Sequence, residues 1–360
     1  MKVLALFHDI PRPDFDVLKR LEEEDQTPRA TIFTTVFNAD VLDRKMLARA
    51  PRVRRAIYKF LPVPIAQIIE AFCIFRRYDL VLSWQEKIAF PFALLCKLTG
   101  SNSVPHVAMC SWPGSGVKAR MLRLVHSHID RLILWSSVQR DRVIRRVGVP
   151  PSKISFINYF VDDKFFRPLD RETDMICSVG SEMRDFPTLF EALRGLDIRC
   201  HIAAGTLNVK QTRWIRKVDR MTDLPPNITV GRKQPTELRE LYARSRFVVI
   251  PLRPSDTDNG ITCILEAMAM GKPVICSRIE GQVDVIKEGE TGIFVPVGDA
   301  PALRAAIEYL WNHPAEAERM GKEGLKYVLH YQRLDKFVGD VKRIVDEVLE
   351  ERKRSRQSGR

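Results

Sequence analysis

The chain has 360 residues, 45% of them hydrophobic and 29% charged, enough for two domains and a sizeable core. That balance excludes a mainly disordered chain, a collagen-like one and a disulfide-stapled miniature protein. Charge is the unusual quantity: 58 Lys and Arg against 45 Asp and Glu leave +13, which points to an anionic partner, whether nucleic acid, a phosphate-bearing substrate or an acidic membrane surface.

The apolar start at 3–7 is too short for a signal peptide and suits a first buried strand. The uncharged run 88–96 falls well short of the roughly 20 residues of a spanning helix. Cys73, Cys96, Cys110, Cys177, Cys200, Cys263 and Cys276 include no C-x-x-C pair and mostly sit in apolar runs. They read as small core residues of a reducing compartment. The expectation is a cytoplasmic protein without a transmembrane anchor.

In chain order, short apolar runs alternate with amphipathic stretches, the pattern of a parallel α/β architecture. Strands are expected at 3–7, 30–37, 80–83, 106–109, 132–134 and 154–157. A second series follows at 175–179, 200–204, 228–230, 247–251, 274–277 and 292–295. Between the series, the polar, proline-bearing segment 165–172 reads as a linker. Domains are expected at 1–168 and 169–333, then a C-terminal amphipathic helix at 334–351 and a frayed basic tail at 352–360. Asp14-Phe15-Asp16 spells D-x-D, yet it opens an amphipathic helix and reads as a cap. Asp256-Thr257-Asp258 repeats the spelling in a loop. No His/Cys cluster has zinc spacing, and no metal site is expected.

The charge is uneven. Residues 1–168 hold 27 basic and 16 acidic side chains, hence +11, while the remainder holds 31 and 29, hence +2. Arg54, Arg55, Arg76 and Arg77 alternate with Ile, Tyr, Phe and Leu in the first half, a composition suited to a lipid headgroup layer. The alternative is a helix packing its apolar face on the sheet with its charges solvated. Zinc-finger and RNP motifs are absent from the sequence, so nucleic acid is not expected as a partner.

The second half carries the chemistry. A buried strand ends near Pro251, a polar loop follows, and Gly260 opens a helix running to about Met270. Gly271 ends that helix. The N–H groups of Gly260, Ile261 and Thr262 would point out from the carboxyl edge of the sheet, where a diphosphate binds well. Glu266, one turn further on, is placed to accept hydrogen bonds from a ribose diol.

Here the sequence resembles the retaining glycosyltransferases of the GT-B fold, in particular glycosyltransferase family 4. Their signature is an acid, seven residues, then Glu in a Glu-Ala-Met-Ala-x-Gly-x-Pro-Val context; Asp258 and Glu266 supply the pair in this chain. The resemblance implies two Rossmann-like doubly wound domains facing across a cleft, with the C-terminal helix crossing back to the first. It implies Asp258 against the donor sugar, Glu266 against the ribose, and Asn259 within the same loop. Gly180-Ser181-Glu182-Met183-Arg184 looks like the family's strand-loop-helix that grips the diphosphate; Ser181 replaces the usual Arg, and Arg184 stands in for the Lys. Arg253 or Lys272 is the remaining source of the lost charge, although Lys272 reads as solvated. Gly205 and Gly231 match turns lining the nucleotide site, and the 237–242 stretch matches the helix after it. Gly281 and Asp284 match a further glycine-acid turn. Ile157-Asn158-Tyr159-Phe160-Val161-Asp162 aligns with the family's Ile-Pro-Asn-Gly-Val-Asp, Tyr159 and Phe160 replacing a small turn. Two departures stand out. Cys110 or Ser111 occupies the place of a His near the donor sugar, with His106 expected to point elsewhere, and His8-Asp9 replaces a glycine-rich first loop.

The implied activity is transfer of a sugar from a nucleotide-diphosphate donor to an acceptor hydroxyl, with retention and without metal or resident cofactor. Asp258 and Arg184 are the catalytic candidates. The acceptor would be a glycan or a lipid-linked one held by the basic first domain, on the cytoplasmic face of an anionic membrane. The alternatives are a degenerate GT-B binding protein at the membrane, a sugar-nucleotide epimerase or a phosphorylase.

Overall fold

The computed structural model describes residues 1–7, 14–204 and 224–358. The chain divides into two compact units: Met1–Phe15, Ala30–Asn158 and Phe337–Arg360 in the first, Asp16–Arg29 and Tyr159–Lys336 in the second. These divisions fall at 158/159 and 336/337, where the sequence reading places 168 and 333.

In the first half, the strands are β1 (Val3–Phe7), β2 (Ala39–Val41), β3 (Leu80–Trp84), β4 (His106–Met109), β5 (Arg131–Leu134) and β6 (Ile154–Phe156). They form one parallel sheet in the order β2-β1-β3-β4-β5-β6. The helices are α1 (Phe15–Glu23), α2 (Ile32–Phe37), α3 (Arg44–Ala48), α4 (Arg52–Tyr58), α5 (Val63–Ile74), α6 (Glu86–Leu98), α7 (Gly116–Val125) and α8 (Ser137–Arg142). β4 and β5 are buried along their whole length because helices cover both faces of the sheet. One core layer joins Leu4, Leu6 and Val81 to Ala66, Ile74 and Phe92. The other joins Ala108, Leu132 and Leu134 to Phe90, Leu122 and Val125.

One expected strand is wrong: 30–37 is mostly helix. Phe33 and Phe37, four apart, share a buried face, and Thr34 and Thr35 return their hydroxyls to the Thr31 carbonyl at 2.9 and 3.0 Å. Asn38, left-handed at φ 44°, ends the helix before the short edge strand β2. A β-branched, aromatic sequence is therefore overridden by burial of two rings on one helical stripe.

In the second half, β7 (Met175–Val179), β8 (Cys200–Ala203), β9 (Ile228–Gly231), β10 (Ser245–Ile250), β11 (Val274–Ser277) and β12 (Gly292–Val295) form a parallel sheet. Its order is β12-β11-β10-β7-β8-β9. The helices are α9 (Phe186–Leu193), α10 (Pro235–Arg244), α11 (Ile261–Ala269), α12 (Ala300–Asn312), α13 (Pro314–Tyr331) and α14 (Leu334–Ser358). Phe186, Leu189 and Leu193 of α9 meet Leu303, Ile307 and Leu310 of α12 over Phe247 and Val249.

Two ionic clusters explain why 16–29 belongs with the second unit. Asp25 accepts from Arg167 and from Arg239, each at 2.8 Å, and Arg29 reaches Asp162 at 2.6 Å and Asp335 at 2.9 Å. The expected linker is likewise part of this unit, for Phe165 and Phe166 are buried and Arg239 lies 4.4 Å from the Phe165 ring. From Phe337 onward, α14 belongs to the first unit. Its Phe337 ring lies 5.9 Å from Phe33 and 6.1 Å from Trp84. Arg352, expected in a frayed tail, instead pairs with Asp130 at 2.6 Å and with Asn102 at 2.7 Å. Of the seven cysteines, five are buried, Cys263 is partly covered and Cys73 is exposed.

Candidate functional site

In the second unit the strand order reverses direction between β7 and β10, which are neighbours although far apart in sequence. Loops leaving two such strands diverge and open a crevice at the carboxyl edge of the sheet. Here the loops are tied together. Asp185 N–H donates to the Pro251 carbonyl and Arg253 N–H to that of Met183, both at 2.9 Å. Met183 adopts a left-handed φ of 54°, a conformation costly for a side chain with a Cβ.

Arg184 lies inside this junction and is only 3% exposed. Its Nε donates to the Val179 carbonyl at 2.9 Å, Nη1 to that of Glu182 at 3.0 Å, and Nη2 approaches Cys263 Sγ at 3.4 Å. The guanidinium thus packs beneath Gly180 and Gly260, with three of its five N–H groups used on the protein.

The β10 loop is built from short polar side chains. Asn259 donates to Ser255 Oγ at 2.8 Å and to Thr257 Oγ1, and Ser255 and Thr257 share a hydrogen bond at 2.8 Å. Gly281 packs directly on this loop: a Cβ there would stand 2.2 Å from the Thr257 carbonyl. Gln282 adds a bond to the Asn259 carbonyl at 3.2 Å. Asp258 and Asn259 are each 4% exposed. Gly260 then takes φ 89°, open to glycine without strain, and turns the chain into α11.

At that helix start the Ile261 N–H is used by the Asp258 carbonyl at 3.2 Å, and the first helical bond runs from Ile264 N–H to the Gly260 carbonyl at 2.9 Å. The N–H groups of Thr262 and Cys263 therefore have no acceptor within the helix. Of the expected N–H set at Gly260, Ile261 and Thr262, that of Ile261 is therefore engaged within the loop, while Cys263 adds a further N–H without a helical acceptor. Thr262 is exposed.

Glu266 lies one turn on and is partly buried. Its Oε2 accepts the Tyr242 hydroxyl at 2.8 Å. Burial pushes the carboxyl up to about 7, offset in part by the Tyr242 bond and the charge of Arg184. Tyr159 completes the group: its side chain hydrogen-bonds Thr262, and burial next to Asp258 and Glu266 pushes its phenol up to about 12. Sequence reasoning assigned neither tyrosine to the site. The signal for Tyr159 was its replacement of a small turn residue; that for Tyr242 was its place in the 237–242 helix, which the resemblance already linked to the nucleotide.

The remaining candidates fall elsewhere. Gly231 ends β9 at the sheet edge, its α-carbon facing His201. Gly205, His8 and Asp9 lie outside the described residues. Lys272 is not solvated: its Nζ donates to the Ala243 carbonyl at 2.9 Å. Arg253 is exposed. In the first unit His106 is a core residue, with Nε2 2.7 Å from Ser83 Oγ and its ring edge-on to Phe92, and burial pushes it down to about 4. Cys110 is fully buried. Arg54 grips buried Glu70 at 2.9 Å, joined there by the Tyr58 hydroxyl at 2.7 Å, and Arg76 bonds Ser101 at 2.7 Å. Arg55 and Arg77 are exposed. Among the described residues no group of three His, Cys, Asp or Glu side chains is arranged to hold a metal ion.

Comparison with known proteins agrees with this geometry. Residues 182–313 match the family model described as Glycosyl transferases group 1. A D-inositol 3-phosphate glycosyltransferase from Catenulispora acidiphila is 25% identical over 224 residues, 55% of this chain and 53% of that protein. The chain thus spans about half the length of the curated relatives it matches. Sucrose-phosphate synthase from Thermosynechococcus elongatus superposes over 98% of this chain and all of its own, with TM-score 0.74 and 16% identity. The Anabaena protein HepE, in complex with UDP and glucose, covers 96% of this chain and all of its own, with TM-score 0.71 and 12% identity. Both structures share the fold of two doubly wound domains. Residues 182–313 therefore match the group 1 glycosyl transferases, within a chain of GT-B fold.

Proposed function

We propose that the protein transfers a glycosyl group from a nucleoside-diphosphate sugar to an acceptor hydroxyl, with retention at the anomeric carbon. The observation that supports this most directly is the switch point of the sheet, where a helix start with N–H groups lacking a helical acceptor is followed one turn later by Glu266. The diphosphate would rest on the N–H groups of Thr262 and Cys263, where the helix dipole favours negative charge. Arg184 contributes its charge from beneath the loops. Glu266, when ionised, accepts the ribose hydroxyls, and Asp258 faces the donor sugar. As the C1–O bond breaks, the electron pair leaves with the diphosphate, whose developing charge meets these donors. The acceptor oxygen bonds C1 from the same face, and its proton passes to the departing phosphate oxygen. Neither metal nor resident cofactor is required in this scheme. Incubation with UDP-, GDP- and ADP-linked sugars tests it. Donor turnover that Glu266→Ala abolishes supports transfer, whereas nucleotide binding without turnover of any donor favours a degenerate binding protein. Conversion of one free nucleotide sugar into another would identify an epimerase.

The acceptor is proposed to be a glycan or lipid-linked sugar at an anionic membrane surface on the cytoplasmic side. The observation favouring this is α4, whose polar residues Arg54 and Tyr58 face Glu70. Its apolar stripe faces outward, with Val53 74%, Ile57 52% and, just beyond the helix, Phe60 89% exposed. Arg52, Arg55 and Lys59 are exposed around that stripe, the arrangement of a helix lying in a headgroup layer. Among the described residues no helix is long and apolar enough to cross a membrane. Co-sedimentation with phosphatidylglycerol vesicles, lost in Val53→Ser/Phe60→Ser and weakened by salt, is the expected result; unchanged sedimentation refutes it.

A further inference from the structure

The turn at Tyr159 is where this chain departs most from the small-residue pattern that its motif resembles. Its backbone is fixed, since Val161 N–H donates to the Gln332 carbonyl at 2.9 Å and Leu334 N–H to the Val161 carbonyl at 3.0 Å. The Tyr159 ring packs on that of Phe160 with centroids 4.8 Å apart. From this anchored position the side chain reaches α11 and hydrogen-bonds Thr262, with Asp258 and Glu266 close by. The Tyr159 hydroxyl therefore meets Thr262, whose N–H lacks an acceptor within the helix, and both residues belong to the same compact unit.

The surroundings give the hydroxyl a purpose. Ser181 supplies no charge, and the three nitrogens of Arg184 are engaged with Val179, Glu182 and Cys263. Arg184 therefore keeps only two of its five N–H groups for an incoming diphosphate.

We propose that Tyr159 is a diphosphate-binding residue: when the donor enters, its O–H turns from Thr262 to a phosphate oxygen, and its ring forms one wall of the pocket. This deepens the glycosyl-transfer reading and rests on it. A phenol that stays protonated remains a donor at every working pH, and as a neutral group it fits beside Asp258 and Glu266 without quenching either carboxylate.

Calorimetric titration tests this. Wild-type protein and Tyr159→Phe are titrated with UDP, GDP and ADP, then with the monophosphate and nucleoside of the tightest binder. The expected result is about a tenfold weaker Kd for the diphosphate in Tyr159→Phe, as for loss of one charge-assisted hydrogen bond, and less than about a twofold change for the nucleoside. Tyr159→Gly should bind the diphosphate more weakly still, and both variants should bind it with a higher KM in turnover of the matching sugar donor. Equal weakening of diphosphate and nucleoside overturns the proposal, because it marks a purely structural ring. An unchanged diphosphate Kd overturns it too and leaves the wider reading intact. A wild-type protein that binds none of the three nucleotides overturns both. The ratio of diphosphate to nucleoside affinity is internal to each variant, so partial loss of folded protein does not mimic the effect.

Discussion

The two units share one architecture, a six-stranded parallel sheet covered on both faces, yet they spend their strand ends differently. In the second, the ends of β7 and β10 carry glycines, short polar side chains and a helix start, all interlocked, with a near-neutral balance over the corresponding half. In the first, His106 and Cys110 are packed away in the core, while the exposed surface collects arginine, lysine and the outward Val53, Ile57 and Phe60. One sheet edge offers interlocked loops and a helix start, which the proposed function uses to hold a diphosphate. The other unit offers an exposed basic and apolar surface, which the same proposal uses for a broader contact. The lesson is that a duplicated fold leaves the chemistry to loops and the docking to surface.

The sharpest way to break this contrast is Glu266→Ala. It removes the proposed acceptor of the ribose diol and should lower kcat/KM for the donor by about 10³-fold, while leaving vesicle binding unchanged. A matching loss of vesicle binding would mean that the two functions are not separable. Gly281→Ala should come next. Its Cβ cannot fit 2.2 Å from the Thr257 carbonyl, so the donor loop must move, at a cost of about 2–4 kcal/mol by denaturant titration and with loss of turnover. Arg54→Ala should destabilise by about 2–3 kcal/mol, since it strips a cation from buried Glu70, whereas exposed Arg55→Ala should cost less than about 0.5 kcal/mol. Equal effects would show that α4 is not seated as described.

A gentler probe is pH. Glu266 sits at about 7, and only its ionised form accepts a diol. Because the raised value means that protons bind more readily in the folded site, donor kcat/KM should fall about tenfold per pH unit below 7 and level off above it. Tyr242→Phe removes a bond that favours the carboxylate and should move that midpoint upward; a midpoint near 4.5 would place Glu266 outside the donor site. The smallest expected effect is that of EDTA, which should leave donor turnover within about twofold of its starting value, as the proposed scheme uses no metal.

Much of this was legible in advance because it is local. Five of the strands, among them β1 and β7, match their expected bounds residue for residue, since a buried parallel strand is a short apolar run bracketed by turn formers. The start of α11 at Gly260 followed from a glycine beside an amphipathic run, and the Asp258–Glu266 spacing required only counting. Where two local rules competed, as at 30–37, alternation favoured a strand, and only the pairing of Phe33 with Phe37 on a buried face decided for helix.

The sequence by itself thus determined the fold class, the strand series and the charge imbalance, because periodicity and composition act over a few residues. Tertiary structure alone decided that 16–29 joins the second unit through Asp25 and Arg29, that Arg184 turns inward, that Tyr159 and Tyr242 converge on α11, and that the apolar stripe of α4 faces out. Each of these depends on which distant residue supplies the partner for a charge, a hydroxyl or a ring. Spacing along the chain carries no record of that choice; it is settled only when buried polar groups must find partners in three dimensions.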